Sequence, residues 1–219
     1  MSSQGDSQPS QDSTMTLMQE NLLEVLYFAY GSNLSTKQMR RRCPYSTPVG
    51  LAYLKGWRWI INERGYANVV QLPIDSDDDE TPEAEDNRQL STKGKGKEKQ
   101  KQKQKQKQKQ KQKRKAEEGV YGLLYLVPAE DEESLDRYEG VPSAYQKFQV
   151  NVKWANANKE EDETLRALVY VDEMRVEEDV PQEEFIERME DGIEDAVENW
   201  GMNEDYADRV MRRFWTEED

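Results

Sequence analysis

The sequence predicts an α+β domain: a sheet of about six strands, largely antiparallel and closing into a small mixed β-barrel, with flanking helices packed on it. Three observations lead there. Runs of aromatic and β-branched residues at 24–30 and 120–127 read as buried strands. Two alternating segments, 145–154 and 164–172, lie either side of the polar loop 156–163 and read as a hairpin. The C-terminal third carries apolar residues at helical spacing.

Residues 1–20 are rich in Ser and Gln and read as a disordered tail. The strand at 24–30 is broken by Gly31-Ser32-Asn33. Ser35-Thr36-Lys37-Gln38 then has the form of a capping box, so a short helix follows and ends before Pro44. Gly-punctuated strands are expected at 49–54, 57–62 and 66–72. The strand at 120–127 stops at Pro128. Residues 130–138 predict a short helix with Leu135 and Tyr138 on one face, and Glu139-Gly140-Val141-Pro142 forms its exit turn. Pro181 suits the first turn of a longer helix. In it Phe185, Met189, Ile193, Val197 and Trp200 make an apolar stripe. Gly201 fits its C-terminal cap and Asn203 the N-cap of a last helix marked by Tyr206, Val210 and Phe214.

Charged residues make up 35% of the 219 and mean hydropathy is −1.10, too polar for a chain folded throughout. Much of this lies between Pro73 and Gly119, with 11 acidic and 14 basic residues. An acidic run at 75–86 is followed by a nearly unbroken Lys-Gln alternation at 97–115. Such period-2 polarity offers no apolar face to bury. Residues 74–118 therefore read as a disordered insertion in a loop of a single domain spanning 21–216. Closure entropy grows slowly with loop length, so the fold tolerates it. Its role stays open between an inert spacer and a basic arm for RNA or acidic surfaces.

That stretch carries +3 of a net −14, so the rest of the chain holds −17. Such a surface repels phosphate and argues against nucleic acid as a partner. Cys43 is the only cysteine, which leaves no intramolecular disulfide. No apolar run approaches the roughly 18 residues that span a bilayer. The first 13 residues lack the pattern of a secretory signal. A cytoplasmic location without a membrane partner is expected. The sequence has no histidine, which excludes Ser-His-Asp and Cys-His catalysis and His-ligated zinc. Proton transfer near neutral pH then falls to a carboxylate, Lys, Tyr or Cys43.

Two segments could carry chemistry. In Tyr27-Phe28-Ala29-Tyr30-Gly31-Ser32-Asn33-Leu34 a strand runs into a Gly turn and a capped helix. Gly lets successive N–H groups point into one concavity, which suits a carboxylate or an oxyanion. Without a ligand the same junction is an ordinary strand–turn–helix corner. In Leu135-Asp136-Arg137-Tyr138-Glu139-Gly140, Glu139 sits at a helix C-terminus, where the dipole and partial burial raise a carboxyl pKa. A raised pKa suits a group that takes and returns a proton; a solvated Glu at a helix end would look the same.

Together these segments resemble the γ-glutamylcyclotransferase family. Tyr27 to Leu34 looks like its substrate-loop signature, and Val120 to Tyr125 like the strand ahead of its active carboxylate. Leu135-Asp136 with Glu139-Gly140-Val141, followed by Tyr145, is similar to the segment bearing the catalytic Glu. The likeness covers about 25–72 and 119–201. It implies the family's α+β barrel, Glu139 as general acid/base, and a substrate site at Tyr27, Phe28, Ala29, Tyr30, Gly31, Ser32 and Asn33. Phe185 stands where the family has a Tyr, keeping the ring and losing the hydroxyl. The implied reaction closes a γ-glutamyl group to 5-oxoproline and frees an amino acid, with no cofactor and no metal. A glutathione-specific cyclotransferase, a γ-glutamylamine cyclotransferase, and a catalytically idle binding module of the same fold tethered by its basic arm are the alternatives. The oligomeric state stays open between monomer and homodimer.

Overall fold

The computed structural model describes residues 24–73, 119–155 and 163–216. The expected tail at 1–20 and the insertion at 74–118 lie outside them.

Seven strands form. They are β1 (Val25–Ala29), β2 (Thr47–Lys55), β3 (Trp57–Ile61), β4 (Ala67–Gln71), β5 (Gly119–Val127), β6 (Gln146–Trp154) and β7 (Thr164–Val171). Five close into a barrel in the order β1-β5-β2-β6-β7, antiparallel throughout except where β7 meets β1. The expected mixed, largely antiparallel barrel is therefore present. The six-strand sheet is not: β3 and β4 leave the ring and pair as a separate hairpin.

Apolar alternation explains which faces are buried. Phe28, Leu51, Leu123, Leu124, Val152 and Val169 are shut away from solvent, and the hairpin adds Trp59 and Ile61. Close approach fixes one glycine of the barrel. A β-carbon on Gly122 would stand 2.5 Å from the Phe28 ring and 2.7 Å from the Ala29 carbonyl oxygen.

Three helices flank the barrel: α1 (Thr36–Arg42), α2 (Ala129–Glu139) and α3 (Glu183–Trp200). Ser35 caps α1 by accepting from the Gln38 N–H at 3.2 Å. The capping box is not closed, because the Gln38 side chain turns instead to Ser32 and Asn33. On α2 the buried face runs through Asp131 and Leu135 towards Glu139, an i, i+4 row, while Tyr138 is 57% exposed. The expected pairing of Leu135 with Tyr138 is thus corrected by one residue. Gly140 ends α2 with a φ of 66°, and its N–H returns to the Arg137 carbonyl.

On α3 the stripe shifts to Phe185, Met189, Gly192, Ile193 and Ala196, with Val197 and Trp200 only half-buried. Pro181 stands before the N-cap Gln182, not in the first turn. The last helix is one α turn (Glu204–Tyr206), a π segment (Ala207–Met211) and a 3₁₀ turn (Arg212–Phe214). Ala207 and Met211 carry its burial, where Tyr206, Val210 and Phe214 were expected to mark it.

Replacing Gly122 by Ala forces a methyl group against a ring and a backbone oxygen. A loss of about 1–3 kcal/mol in denaturant unfolding is expected. An unchanged midpoint would mean that β5 and β1 separate at little cost.

Candidate active site

The C-terminal end of β1, the 3₁₀ turn Ser32–Leu34, the end of α2 and the first turns of α3 surround a cavity of about 340 Å³. Tyr27, Tyr30, Gly31, Ser32, Asn33, Glu139 and Phe185 line it. Phe28 and Ala29, read as substrate-binding with the rest of that segment, do not. Both are completely buried, and the Phe28 ring lies against Gly122 in the barrel interior.

Asn33 joins the two halves of the site. Its Nδ2 donates to Glu139 Oε1 at 3.1 Å and to the Tyr27 hydroxyl at 3.1 Å. Its Oδ1 accepts from Gln38 Nε2 at 3.0 Å and from Arg42 NH1 at 3.1 Å. The Tyr125 hydroxyl holds its backbone carbonyl at 3.0 Å. Above the turn, α3 comes so close that a β-carbon on Gly192 would sit 3.1 Å from Leu34 Cβ. Tyr30 donates to the Tyr170 carbonyl at 2.6 Å and accepts Trp59 Nε1 on its own carbonyl.

The Glu139 carboxyl has a raised pKa, and burial is the first cause. Arg42, the Asn33 hydrogen bond, Arg188 and Arg64 pull the other way, in that order. Other proton carriers are poorly suited. Burial pushes the Cys43 thiol up to about 12 and raises the Tyr27 and Tyr30 hydroxyls well above their ordinary range. No lysine lines the cavity among the described residues. Glu139 is the one carboxylate lining the cavity among the described residues.

Three arginines line the cavity and were not singled out from sequence: Arg42 on α1, Arg64 on the turn between β3 and β4, and Arg188 on α3. The cavity is thus cationic at its walls in a chain whose net charge is −14. One signal was available: Arg188 is the only basic residue of Glu183–Trp200 and follows Phe185 by three, so the two share a helix face. Tyr66 in the turn before β4, Tyr145 just ahead of β6 and Tyr170 on β7 also reach the cavity. Tyr66 stacks edge-on against Phe185 at 5.3 Å, and its hydroxyl bonds Glu184 at 3.0 Å.

Among the described residues no group of His, Cys, Asp or Glu is arranged to hold a metal ion. No described helix is long and apolar enough to cross a membrane. A second cavity, of about 530 Å³, lies between the β3–β4 hairpin and β6–β7. Its walls mix apolar side chains such as Trp57, Val69, Phe148 and Val171 with the polar Lys55, Gln71, Asn151 and Glu173.

Residues 119–210, which include Glu139, match the model of the AIG2-like family. No curated protein matches the chain by sequence. A solved structure named gamma-glutamyl cyclotransferase superposes with a TM-score of 0.56, covering 85% of this chain and 86% of that one at 20% identity. The fold is that of γ-glutamylcyclotransferase. An uncharacterized protein from Homo sapiens superposes equally well, at 20% identity over 86% of each chain. YkqA from Bacillus subtilis matches 93% of this chain and 58% of its own length, at 17% identity and a TM-score of 0.56. At these identities the likeness carries the cyclotransferase fold and not the substrate. It agrees with the family resemblance drawn from Tyr27–Leu34 and Glu139.

Two outcomes follow for stability. Asn33→Ala leaves Glu139, Arg42 and Gln38 short of a partner and is expected to cost about 1–3 kcal/mol. Equal unfolding midpoints of the two chains would remove Asn33 from the centre of the network. The second concerns Glu139. A carboxyl whose pKa is higher folded than unfolded works against folding once ionised. That burden is full above the folded value and lifts as pH falls towards the ordinary carboxyl value of 4.5. Glu139→Gln should therefore melt higher than the parent at about pH 8, with the gap closing by about pH 4. A Gln variant that melts lower at the alkaline end reverses the sign.

Proposed function

We propose that the chain is a γ-glutamylcyclotransferase acting on γ-glutamyl amino acids, with Glu139 as its general acid/base. What carries this reading is the 3.1 Å contact from Asn33 to Glu139. It sets a part-buried carboxyl beside a glycine corner in one cavity.

The substrate brings an α-ammonium that cannot attack while protonated. Glu139 takes one proton and frees the nitrogen lone pair. The nitrogen adds to the γ-carbonyl, forming the C–N bond of a five-membered ring and placing charge on the carbonyl oxygen. Glu139 passes its proton to the departing nitrogen, then takes the second from the ring nitrogen for delivery to the freed amine. The old amide C–N bond then breaks. The products are 5-oxoproline and an amino acid whose nitrogen has gained the two protons lost by the attacking one. Because nucleophile and carbonyl share one molecule, the protein mainly has to hold the bent conformation. N–H groups around Gly31–Asn33 and the Arg42 guanidinium hold the glutamyl α-carboxylate and the developing oxyanion.

Phe185 favours a second reading. Its ring lines the cavity without a hydroxyl, so a catalytically idle binding module of the same fold would look alike. Deleting residues 75–117 separates them: the enzyme keeps its turnover, whereas a module tethered by its basic arm loses its partner.

The decisive experiment incubates the protein with a panel of γ-glutamyl dipeptides and glutathione and measures 5-oxoproline. Release from the dipeptides in preference to glutathione is expected, and the reverse order would make the chain glutathione-specific. Glu139→Gln should fold and lose about two decades or more of activity. Retention of most activity would reduce Glu139 to a structural role. The base form is needed, so kcat/KM should fall as pH drops through the raised pKa of Glu139. Arg42 is the largest influence lowering that pKa, so Arg42→Gln should move this acid limb to higher pH. A limb that stays in place would mean another group controls the rate.

A further inference from the structure

We infer that Arg64 recognises the α-carboxylate of the amino acid that departs, and so selects γ-glutamyl compounds whose acceptor bears a free carboxylate next to the scissile amide. The inference rests on the ring-closing reading above and adds to it a specificity-determining residue.

The three cavity arginines are not equally available. Glu184 engages Arg188 at two points, 3.0 Å from Nε and 3.1 Å from NH2, so its charge is answered within the protein. Arg42 gives NH1 to Asn33, beside Glu139, and stacks over Tyr138 at 4.8 Å. Among the described residues it has no carboxylate partner. Arg64 is the least committed. Its guanidinium lies over the rings of Tyr66 and Tyr145, at 5.5 and 5.4 Å. Its ion-pair partner, Asp172 Oδ2, is 3.9 Å away, beyond hydrogen-bond length, and that oxygen is already held by Arg175 at 2.8 Å and Asn62 at 3.1 Å. Arg64 NH1 is buried and, among the described residues, has no hydrogen-bond partner. The side chain keeps 32% of its surface exposed, so the rest of the fork can meet a ligand in the cavity it lines.

Matching charges to groups makes the assignment. A γ-glutamyl amino acid carries one ammonium and two carboxylates. Glu139 answers the ammonium. The Gly31–Asn33 corner and Arg42 answer the carboxylate of the glutamyl part, which every substrate of this reaction shares. One carboxylate remains, on the leaving amino acid, and one guanidinium remains. Arg64 reaches the cavity from the hairpin turn and Arg42 from α1, so the two cations stand on separate elements, as two carboxylates at either end of a bent substrate require. A planar fork held between aromatic rings is also already oriented for carboxylate. A γ-glutamylamine has no second carboxylate at this position. In glutathione it lies one residue, about 3.8 Å of chain, further out.

The test compares γ-glutamylalanine with γ-glutamylalaninamide, which differ only at that carboxylate, by 5-oxoproline release from the full-length protein. The parent should favour the free acid in kcat/KM by about ten- to a hundredfold, the range for one charge-assisted hydrogen bond. Arg64→Gln should collapse the ratio to near one, chiefly through KM for the acid. Arg64→Lys, which keeps the charge and is the milder change for folding, should keep part of the preference. Arg42→Gln should weaken both substrates and preserve the ratio. Equal use of acid and amide by the parent, or a ratio that survives in Arg64→Gln, overturns the assignment and leaves the ring-closing reading intact. No 5-oxoproline from either compound with the parent protein overturns that reading itself.

Discussion

Everything at the cavity depends on one side-chain amide. Asn33 spends both of its N–H bonds and both of its lone-pair directions on protein partners: Tyr27 and Glu139 on one side, Gln38 and Arg42 on the other. Only an amide offers two donors and two acceptor directions in one plane. An aspartate there would set a second carboxylate against Glu139, and a serine is too short to reach both sides. The amide also ties together parts far apart in the chain: β1 through Tyr27, α1 through Gln38 and Arg42, and the end of α2 through Glu139. A buried polar network that is fully satisfied is rigid as well as stable. This one fixes the direction from which the Glu139 carboxyl enters the cavity.

Around that hub the electrostatics are set in opposition. Burial raises the Glu139 pKa, while Arg42, the Asn33 hydrogen bond, Arg188 and Arg64 lower it. The carboxyl is left above its ordinary range, which suits a group that must both accept and return a proton. The cations that moderate it are the same ones available to an anionic ligand. Their convergence in a chain of net charge −14 marks the cavity as electrostatically unlike the rest of the protein.

Local chemistry was legible in the sequence, and assembly was not. Gly31 as a strand breaker, Ser35 as a cap and Gly140 as a helix stop each follow from a few neighbouring residues, and each stands where expected. The turn at 31–34 and Glu139 could be singled out for the same reason. Nothing in the local pattern separates Phe28 and Ala29 from their neighbours in the Tyr27–Leu34 segment; both are completely buried and neither lines the cavity. Gln38 shows the limit of a motif. The capping pattern placed the helix correctly, but the side chain found better partners in Ser32 and Asn33. The departure of β3 and β4 from the barrel could not be read, since alternation reports that a strand has a buried face and not which strand lies beside it. Arg42, Arg64 and Arg188 come from three different elements, so their meeting is a product of topology alone.

The ring of strands is joined unevenly. β6 and β7 share eight paired positions and β1 and β5 share five, but β1 and β7 meet in parallel at a single pair, Tyr27 with Leu168. Regions with few ladder bonds open at lower free energy than the body of a fold. By that rule this seam opens at lower cost than the β6–β7 pairing, and it lies at a residue that lines the cavity. A small molecule seated there would act as a rivet across the joint. Its presence would be recorded as slower amide hydrogen exchange along β1 and β7.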